Sequence, residues 1–234
     1  MGAELRLAAI RARPQAVLFD IGMTMIFPSG NVIVREIRRF VPGSDIEPAD
    51  AARALAIAAE AIHLHIGGAV SDSDRVGLVM GHLLGLPAEV GVQAWRAAEA
   101  CEDLYSILDP DSAPVLQTLR RAGVKTAAVS NALNCVHDEL AAFGLLPYFD
   151  IVIGSSDGYC DKPDPAMFEA VVEALGIKPS DAWHVGDGII NDVLGASLAR
   201  IGEQILVDSY GVYAKPPCPT VRSMRDLLEI VTTL

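Results

Sequence analysis

Lysine is nearly missing from this chain of 234 residues: it stands at positions 125, 162, 178 and 215 and nowhere else. All basic residues together number 18 against 30 acidic ones, a formal net charge of -12, and they are scattered. Clustered cations of the kind that hold nucleic acid or an anionic lipid surface are therefore absent. An anionic small molecule is not excluded, because a bound divalent cation reverses the sign of an acidic site locally. Cysteine is sparse as well. Cys101, Cys135, Cys160 and Cys218 form no close pair with metal or redox spacing, and they read as reduced thiols. No apolar run suits a membrane span: the longest, Ala51 to Val70, is interrupted by Arg53, Glu60, His63 and His65 and reads as a buried amphipathic helix. Residues Met1-Gly2-Ala3-Glu4-Leu5-Arg6 lack the apolar core of a secretory signal and the Ser or Thr of a myristoylation signal. The expected location is cytoplasmic.

What is present is apolar and aliphatic. With 51% hydrophobic residues, the chain can bury a sizeable core, either as one large domain or as a domain carrying an insertion. Five short β-rich runs lie near Ala16 to Phe19, Val124 to Val129, Phe149 to Ile153, Ala182 to Val185 and Gln204 to Val207. The last four alternate with helical patterns over Ala113 to Arg121, Val136 to Phe143, Pro165 to Leu175 and Asn191 to Ile201, and a final helix is expected over Val221 to Val231. Gly123, Gly144, Gly176 and Gly202 stand where left-handed caps would stop the alternating helices. This alternation predicts an α/β fold with a Rossmann-like, doubly wound parallel sheet.

Residues 28–108 interrupt that pattern, with helical periodicity, no convincing strand, and a length beyond that of a simple crossover. Breaks at Pro42-Gly43, Gly67-Gly68 and Gly85-Leu86-Pro87 divide the stretch into about four helices. We therefore expect an inserted all-helical cap over 28–108, its own core including Ile57, Ile62, Leu64, Leu83, Leu84 and Trp95. Residues 1–27 and 109–234 would form the α/β core.

Three apolar runs end in small polar groups: Phe19 is followed by Asp20, Val129 by Ser130-Asn131, and Val185 by Gly186-Asp187. Neighbouring parallel strands would set all three along one sheet edge, where helix N-termini add N–H donors suited to phosphate. Singly, each is also an ordinary helix cap. A fourth element is the turn Asp161-Lys162-Pro163-Asp164-Pro165, in which the following Pro keeps Lys162 out of helical geometry, leaving the ammonium free to project from a fixed loop. Without the other three elements it would read as a solvated turn lysine. In the run Gly186-Asp187-Gly188-Ile189-Ile190-Asn191-Asp192, two carboxylates come within reach of a common centre, as oxygen ligands of a hard divalent cation do. Asp192 also reads as a first-turn helix residue favoured by the macrodipole.

Asp20-Ile21-Gly22-Met23-Thr24, Ser130, Lys162-Pro163, and Gly186-Asp187 with Asp192 stand in the order of the four signatures of the haloacid dehalogenase superfamily. The chain resembles that family over nearly its whole length, the helical stretch matching the family's cap. The resemblance implies that Asp20 attacks phosphorus and that Mg2+ is held by Asp20, the Gly22 carbonyl and Asp187, with support from Asp192. It further implies that Ser130 and Lys162 hold the phosphoryl oxygens. Asn131 joins them as a substrate-binding candidate, and Thr24 either orders the loop after the nucleophile or is a satisfied turn hydroxyl. The substrate so implied is a small anionic, phosphorylated molecule.

One residue departs from the family pattern. Where a second Asp would serve as general acid/base stands Gly22; such help is typically worth about 10²–10⁴-fold in rate. Either the leaving group is good, or another residue supplies the proton, or the protein binds phosphate with little turnover. His63, His65, Asp72, Asp74 and His82 are candidates for the proton. Two subclasses of the family with a non-acidic residue here are disfavoured. Phosphonoacetaldehyde hydrolases use a cap lysine, and residues 28–108 contain none. Haloacid dehalogenases lack the Gly-Asp of the fourth signature, present here as Gly186-Asp187.

Overall fold

The computed structural model describes residues 13–64, 70–131 and 135–234. His65, the Gly67-Gly68 break and the N-terminal segment read above lie outside the described residues. In chain order the strands are β1 (Ala16–Phe19), β2 (Ile26–Pro28), β3 (Tyr105–Leu108), β4 (Lys125–Ser130), β5 (Ile151–Gly154), β6 (Ala182–Gly186), β7 (Glu203–Val207) and β8 (Thr220–Val221). Six of them form one sheet in the order β5-β4-β1-β6-β7-β8, and every pairing is parallel. The chain moves outward from β1 through β4 to β5, then crosses back to lay β6 on the other side of β1. This reversal makes the carboxyl end of β1 the switch point of the sheet, where a crevice opens between diverging connections.

Two compact units result, 1–26 with 108–234, and Phe27–Ile107. In the first, all four residues of β1 are fully buried, as a central parallel strand with covered faces requires. Alternation sends Ala16 and Leu18 to one face, where they join Ala127, Val129, Met167, Phe168, Val171 and Ala196 in a single apolar cluster. Truncating a buried side chain such as Leu18 to Ala costs about 2–5 kcal/mol in comparable cores. Gly123, Gly144 and Gly176 stop their helices in the left-handed region, at φ of 73°, 69° and 65°.

Gly202 does not. Here the left-handed turn is taken by Arg200 (φ 60°), and Gly202 is required instead because a Cβ would run into the Ser180 carbonyl. The expected helix over Asn191 to Ile201 is a π-helical turn at Ile189–Leu194 continuing into Gly195–Leu198. The final helix starts at Met224 rather than Val221. Thr220 and Val221 pair with β7, and the Ser223 hydroxyl caps the helix by accepting from Asp226 N.

The second unit packs helices Gly30–Phe40, Pro48–Ala58, Asp72–Leu83 and Ala88–Glu99. Two short strands, β2 and β3, pair as a ribbon at its ends, where sequence periodicity had indicated only helix. Runs of three or four residues are too short to display a period. Small residues line the contact between two of these helices. A Cβ on Gly81 would stand 2.7 Å from Gly91 Cα, so helices Asp72–Leu83 and Ala88–Glu99 meet backbone to backbone. Among the expected core positions Trp95 is buried, Ile62 and Leu84 are half-buried, and Ile57, Leu64 and Leu83 are exposed. The interior positions are taken instead by Val32, Ile33, Val34, Ile37, Leu55 and Val76, together with the glycines and alanines of the close helix contact.

Candidate active site

Asp20 directly follows β1, and its N–H continues the ladder by donating to Val185 O at 2.9 Å. The chain then turns sharply. Met23 takes a left-handed backbone (φ 59°), which costs about 1 kcal/mol or more for a residue with a Cβ. In exchange Thr24 is folded back over Asp20, fully buried, with Oγ1 3.3 Å from both Asp20 Oδ2 and Asp187 Oδ1. One hydroxyl carries one proton, so Thr24 donates to one carboxylate at a time while tying both to the turn. Gly22 bridges to Ile26 within the same turn.

Lys162 arrives on the turn after β5 and is only 2% exposed. Its ammonium donates to Asp20 Oδ1 at 2.6 Å and to Asp192 Oδ1 at 2.7 Å. The backbone of Lys162 is clasped by the Asn131 amide, which donates through Nδ2 to Lys162 O (2.9 Å) and accepts at Oδ1 from Lys162 N (2.8 Å). The residue after β4 thus fixes the loop that delivers the cation. Ser130, at the end of β4, is buried, and no described residue bonds its hydroxyl.

Asp192 is placed by the π-helical turn after β6. Its Oδ2 accepts from Gly188 N at 2.9 Å, and its Oδ1 accepts from His184 Nε2 at 3.0 Å as well as from Lys162. His184 is itself buried on β6, edge-on to the Phe168 ring at 4.9 Å between centroids. Gly186 leaves room for all this, because a Cβ there would overlap Asp192.

These contacts set the charges. Burial opposes the Lys162 ammonium, but Asp192 and Asp20 outweigh it and hold its pKa above the ordinary lysine value. Burial would likewise raise Asp192, yet Lys162 and the His184 hydrogen bond push it well below the usual carboxylate range. Asp20 goes the other way. Its desolvation exceeds the pull of Lys162, and the negative charge of Asp192 adds to the upward shift. Two carboxylates, Asp20 and Asp192, therefore share one buried ammonium, with Asp187 close beside them.

Asp20, Asp187 and Asp192 each offer a carboxylate oxygen, all within 4.8 Å of one another. A donor set of oxygens alone suits a hard divalent cation rather than zinc, which prefers nitrogen and sulfur. Sequence reasoning had singled out Asp20, Thr24, Lys162, Asp187 and Asp192, and the fold brings these five together.

The proton candidates of the second unit are placed differently. The Asp74 carboxylate is engaged by Arg96 at 2.6 and 2.7 Å, Asp72 pairs with Arg75 at 2.9 Å, and His82 lies exposed in the last turn of its helix. His63 belongs to a 3-10 turn in the same unit.

Other polar residues near the site had not been singled out. His184 sits inside an apolar run and reads locally as packing. Asp208, buried after β7, accepts from Val212 N at 2.7 Å and Tyr213 N at 3.4 Å, and so organises a loop containing Tyr210. The Tyr210 phenol is pushed up to about 12 by burial and by the charge of Asp187. A strand ending in a carboxylate was the signal that found Asp20 and would have found Asp208.

Residues 14–200 match the family model described as haloacid dehalogenase-like hydrolase. The mouse haloacid dehalogenase-like hydrolase domain-containing protein 3 is 37% identical over 81 residues, 35% of this chain and 32% of that protein. Glyceraldehyde 3-phosphate phosphatase of Methanopyrus kandleri is 35% identical over 91 residues, 38% of this chain and 39% of that protein. The chain thus spans well under two thirds of these curated relatives. In fold, it is similar to the putative HAD-hydrolase YfnB from Bacillus subtilis, with a TM-score of 0.63, 18% identity, and coverage of 94% of this chain and 99% of that one.

Proposed function

Because the chain belongs to the haloacid dehalogenase-like hydrolases, we propose that it hydrolyses a small phosphorylated metabolite through an aspartyl-phosphate on Asp20. The observation that carries this reading is the Lys162 ammonium shared between Asp20 and Asp192, beside Asp187, at the switch point of the sheet. A carboxylate nucleophile and a phosphate dianion repel each other, so the site must supply positive charge where they meet. Lys162 supplies part of it. Mg2+, held by Asp20, the Gly22 carbonyl and Asp187 with Asp192 behind, would neutralise the remainder when bound.

In the first step an Asp20 oxygen forms a bond to phosphorus as the ester oxygen leaves, and in the second, water releases phosphate and restores Asp20. Positioning and charge stabilisation dominate such transfers. Lys162 offsets charge on the phosphoryl oxygens, the Ser130 hydroxyl donates to one of them, and Asn131 holds Lys162 in place while offering its second amide proton. Thr24 keeps the Asp20 carboxylate oriented. The unit Phe27–Ile107 is read as the cap domain that confers specificity, and the location as cytoplasmic. Similarity to a glyceraldehyde 3-phosphate phosphatase supports a small phosphate ester as the substrate class.

Gly22 favours a second reading, a phosphate-binding protein of low turnover. Phosphate release from a panel of small esters separates the two, measured with and without Mg2+ for wild type and Asp20→Asn, with halide followed on halogenated acids. We expect Mg2+-dependent turnover by wild type only. Equal rates for both proteins across the panel would favour the binding reading, and halide release would point to dehalogenation.

A further inference from the structure

We propose that Glu139 is the general acid and base of this site, doing the work for which Gly22 has no side chain. The inference rests on the phosphatase reading above. Glu139 lies in the first turn of the helix Val136–Ala142. That turn is seated at the carboxyl edge of the sheet: a Cβ on Gly154 would stand 2.8 Å from Val136 Cγ1, and Gly154 pairs with Ser130 at the end of β4. The adjoining strand is β1, with Phe19 opposite Ala128, so Asp20 emerges on the same edge. Helical side chains lean toward the N-terminus of their helix, which directs the Glu139 carboxyl toward that edge.

Its surroundings single it out. Asp157, just beyond the end of β5, accepts from Gly154 N at 2.8 Å, so this acid of the same edge has a structural partner. Glu139 is half-buried, and no described residue gives its carboxyl a hydrogen bond or an ion pair. Burial and the negative charge of Asp20 both push it above the ordinary carboxylate range, which brings its protonated form nearer neutrality. The alternatives are less suited. Tyr210, pushed up to about 12, is too weak an acid for its conjugate base to be available near neutral pH, and the Nε2 of His184 is committed to Asp192.

The proton balance closes over one turnover. As the Asp20 oxygen bonds to phosphorus and the P–O bond to the leaving group breaks, the Glu139 carboxylic acid gives its proton to the departing alkoxide, yielding the alcohol. The Glu139 carboxylate then takes a proton from water, whose oxygen bonds to phosphorus. The bond between phosphorus and Asp20 breaks, inorganic phosphate leaves, and both carboxyl groups return to their starting states.

The test compares an alkyl phosphate, whose leaving group needs a proton, with p-nitrophenyl phosphate, whose leaving group does not. For Glu139→Gln we expect kcat/KM on the alkyl ester to fall about 10²-fold, while kcat/KM on the nitrophenyl ester stays within about threefold of wild type. A burst of nitrophenolate before a slowed steady state reports loss of the base in the second step. The nitrophenyl arm doubles as the control for folding. Equal losses of kcat/KM on both esters, or no loss on either, overturn the assignment of Glu139 and leave Asp20 untouched. Turnover by Asp20→Asn equal to wild type overturns the phosphatase reading itself, and Glu139's role with it.

Discussion

A Cβ on Gly186 would stand 2.6 Å from both the Cβ and the Oδ2 of Asp192. The missing side chain at the end of β6 is therefore what admits a buried carboxylate six residues later. Through Asp192 the relationship extends to Lys162, and through Lys162 to Asp20, so one glycine underlies the geometry of the whole charged cluster.

Gly186→Ala should displace Asp192 and loosen the hold on Lys162. Overpacking of this kind costs about 1–3 kcal/mol, and the cost here falls on the site. Thermal melts should show a modest loss of stability, while phosphate release should fall far more steeply than stability does. An alanine variant with wild-type turnover would show that Asp192 need not sit where it does.

Lys162→Met removes the one buried ammonium among three carboxylates. Leaving a buried charge without its partner costs about 3–5 kcal/mol. We expect a large drop in the denaturation midpoint near neutral pH, partly restored by combining the substitution with Asp20→Asn. A gain over Lys162→Met no larger than the one Asp20→Asn gives the wild type would argue against direct coupling between the pair.

Asp20 and Asp192 share that ammonium yet should respond oppositely to neutralisation. The folded-state pKa of Asp20 is raised, so its contribution to stability is present below the unfolded value and lost as pH rises through the folded one. By neutral pH that contribution is diminished, and Asp20→Asn should stabilise the metal-free protein while abolishing turnover. The folded-state pKa of Asp192 is depressed, so its contribution is present above the unfolded value and lost as pH falls through the folded one. Asp192→Asn should therefore destabilise at neutral pH by about 3 kcal/mol. Melts in chelator across the acid range should show the Asp20→Asn difference already gone by about pH 4, near the ordinary carboxylate value, and the Asp192→Asn difference shrinking only below it.

Gly91→Ala tests the second unit. Its Cβ would stand 2.7 Å from Gly77 O and 2.8 Å from Gly81 Cα, against backbone that has no rotamer to yield. The helices Asp72–Leu83 and Ala88–Glu99 should be forced apart, with a loss of about 1–3 kcal/mol despite alanine's higher helix propensity. Hydrogen exchange should locate the loosening in this helix pair.

Sequence alone determined where the strands of the sheet end in polar groups and where three of its helices stop. An apolar run followed by Asp20, Ser130 or Asp187 is a local pattern, and so is a left-handed glycine at 123, 144 or 176. Both depend on periodicity and backbone freedom within a few residues. Tertiary structure alone decided which partners those groups would meet. That β1 lies between β4 and β6, that the Asn131 amide is used on the backbone of Lys162, that His184 serves Asp192, and that Gly202 answers to Ser180 rather than to a helix cap all depend on strand register and close approach between distant segments. Such contacts leave no period in the chain. A carboxylate reads the same in sequence whether its proton is held up, as on Asp20, or driven off, as on Asp192, because that difference is set by burial and by which charges the fold brings beside it.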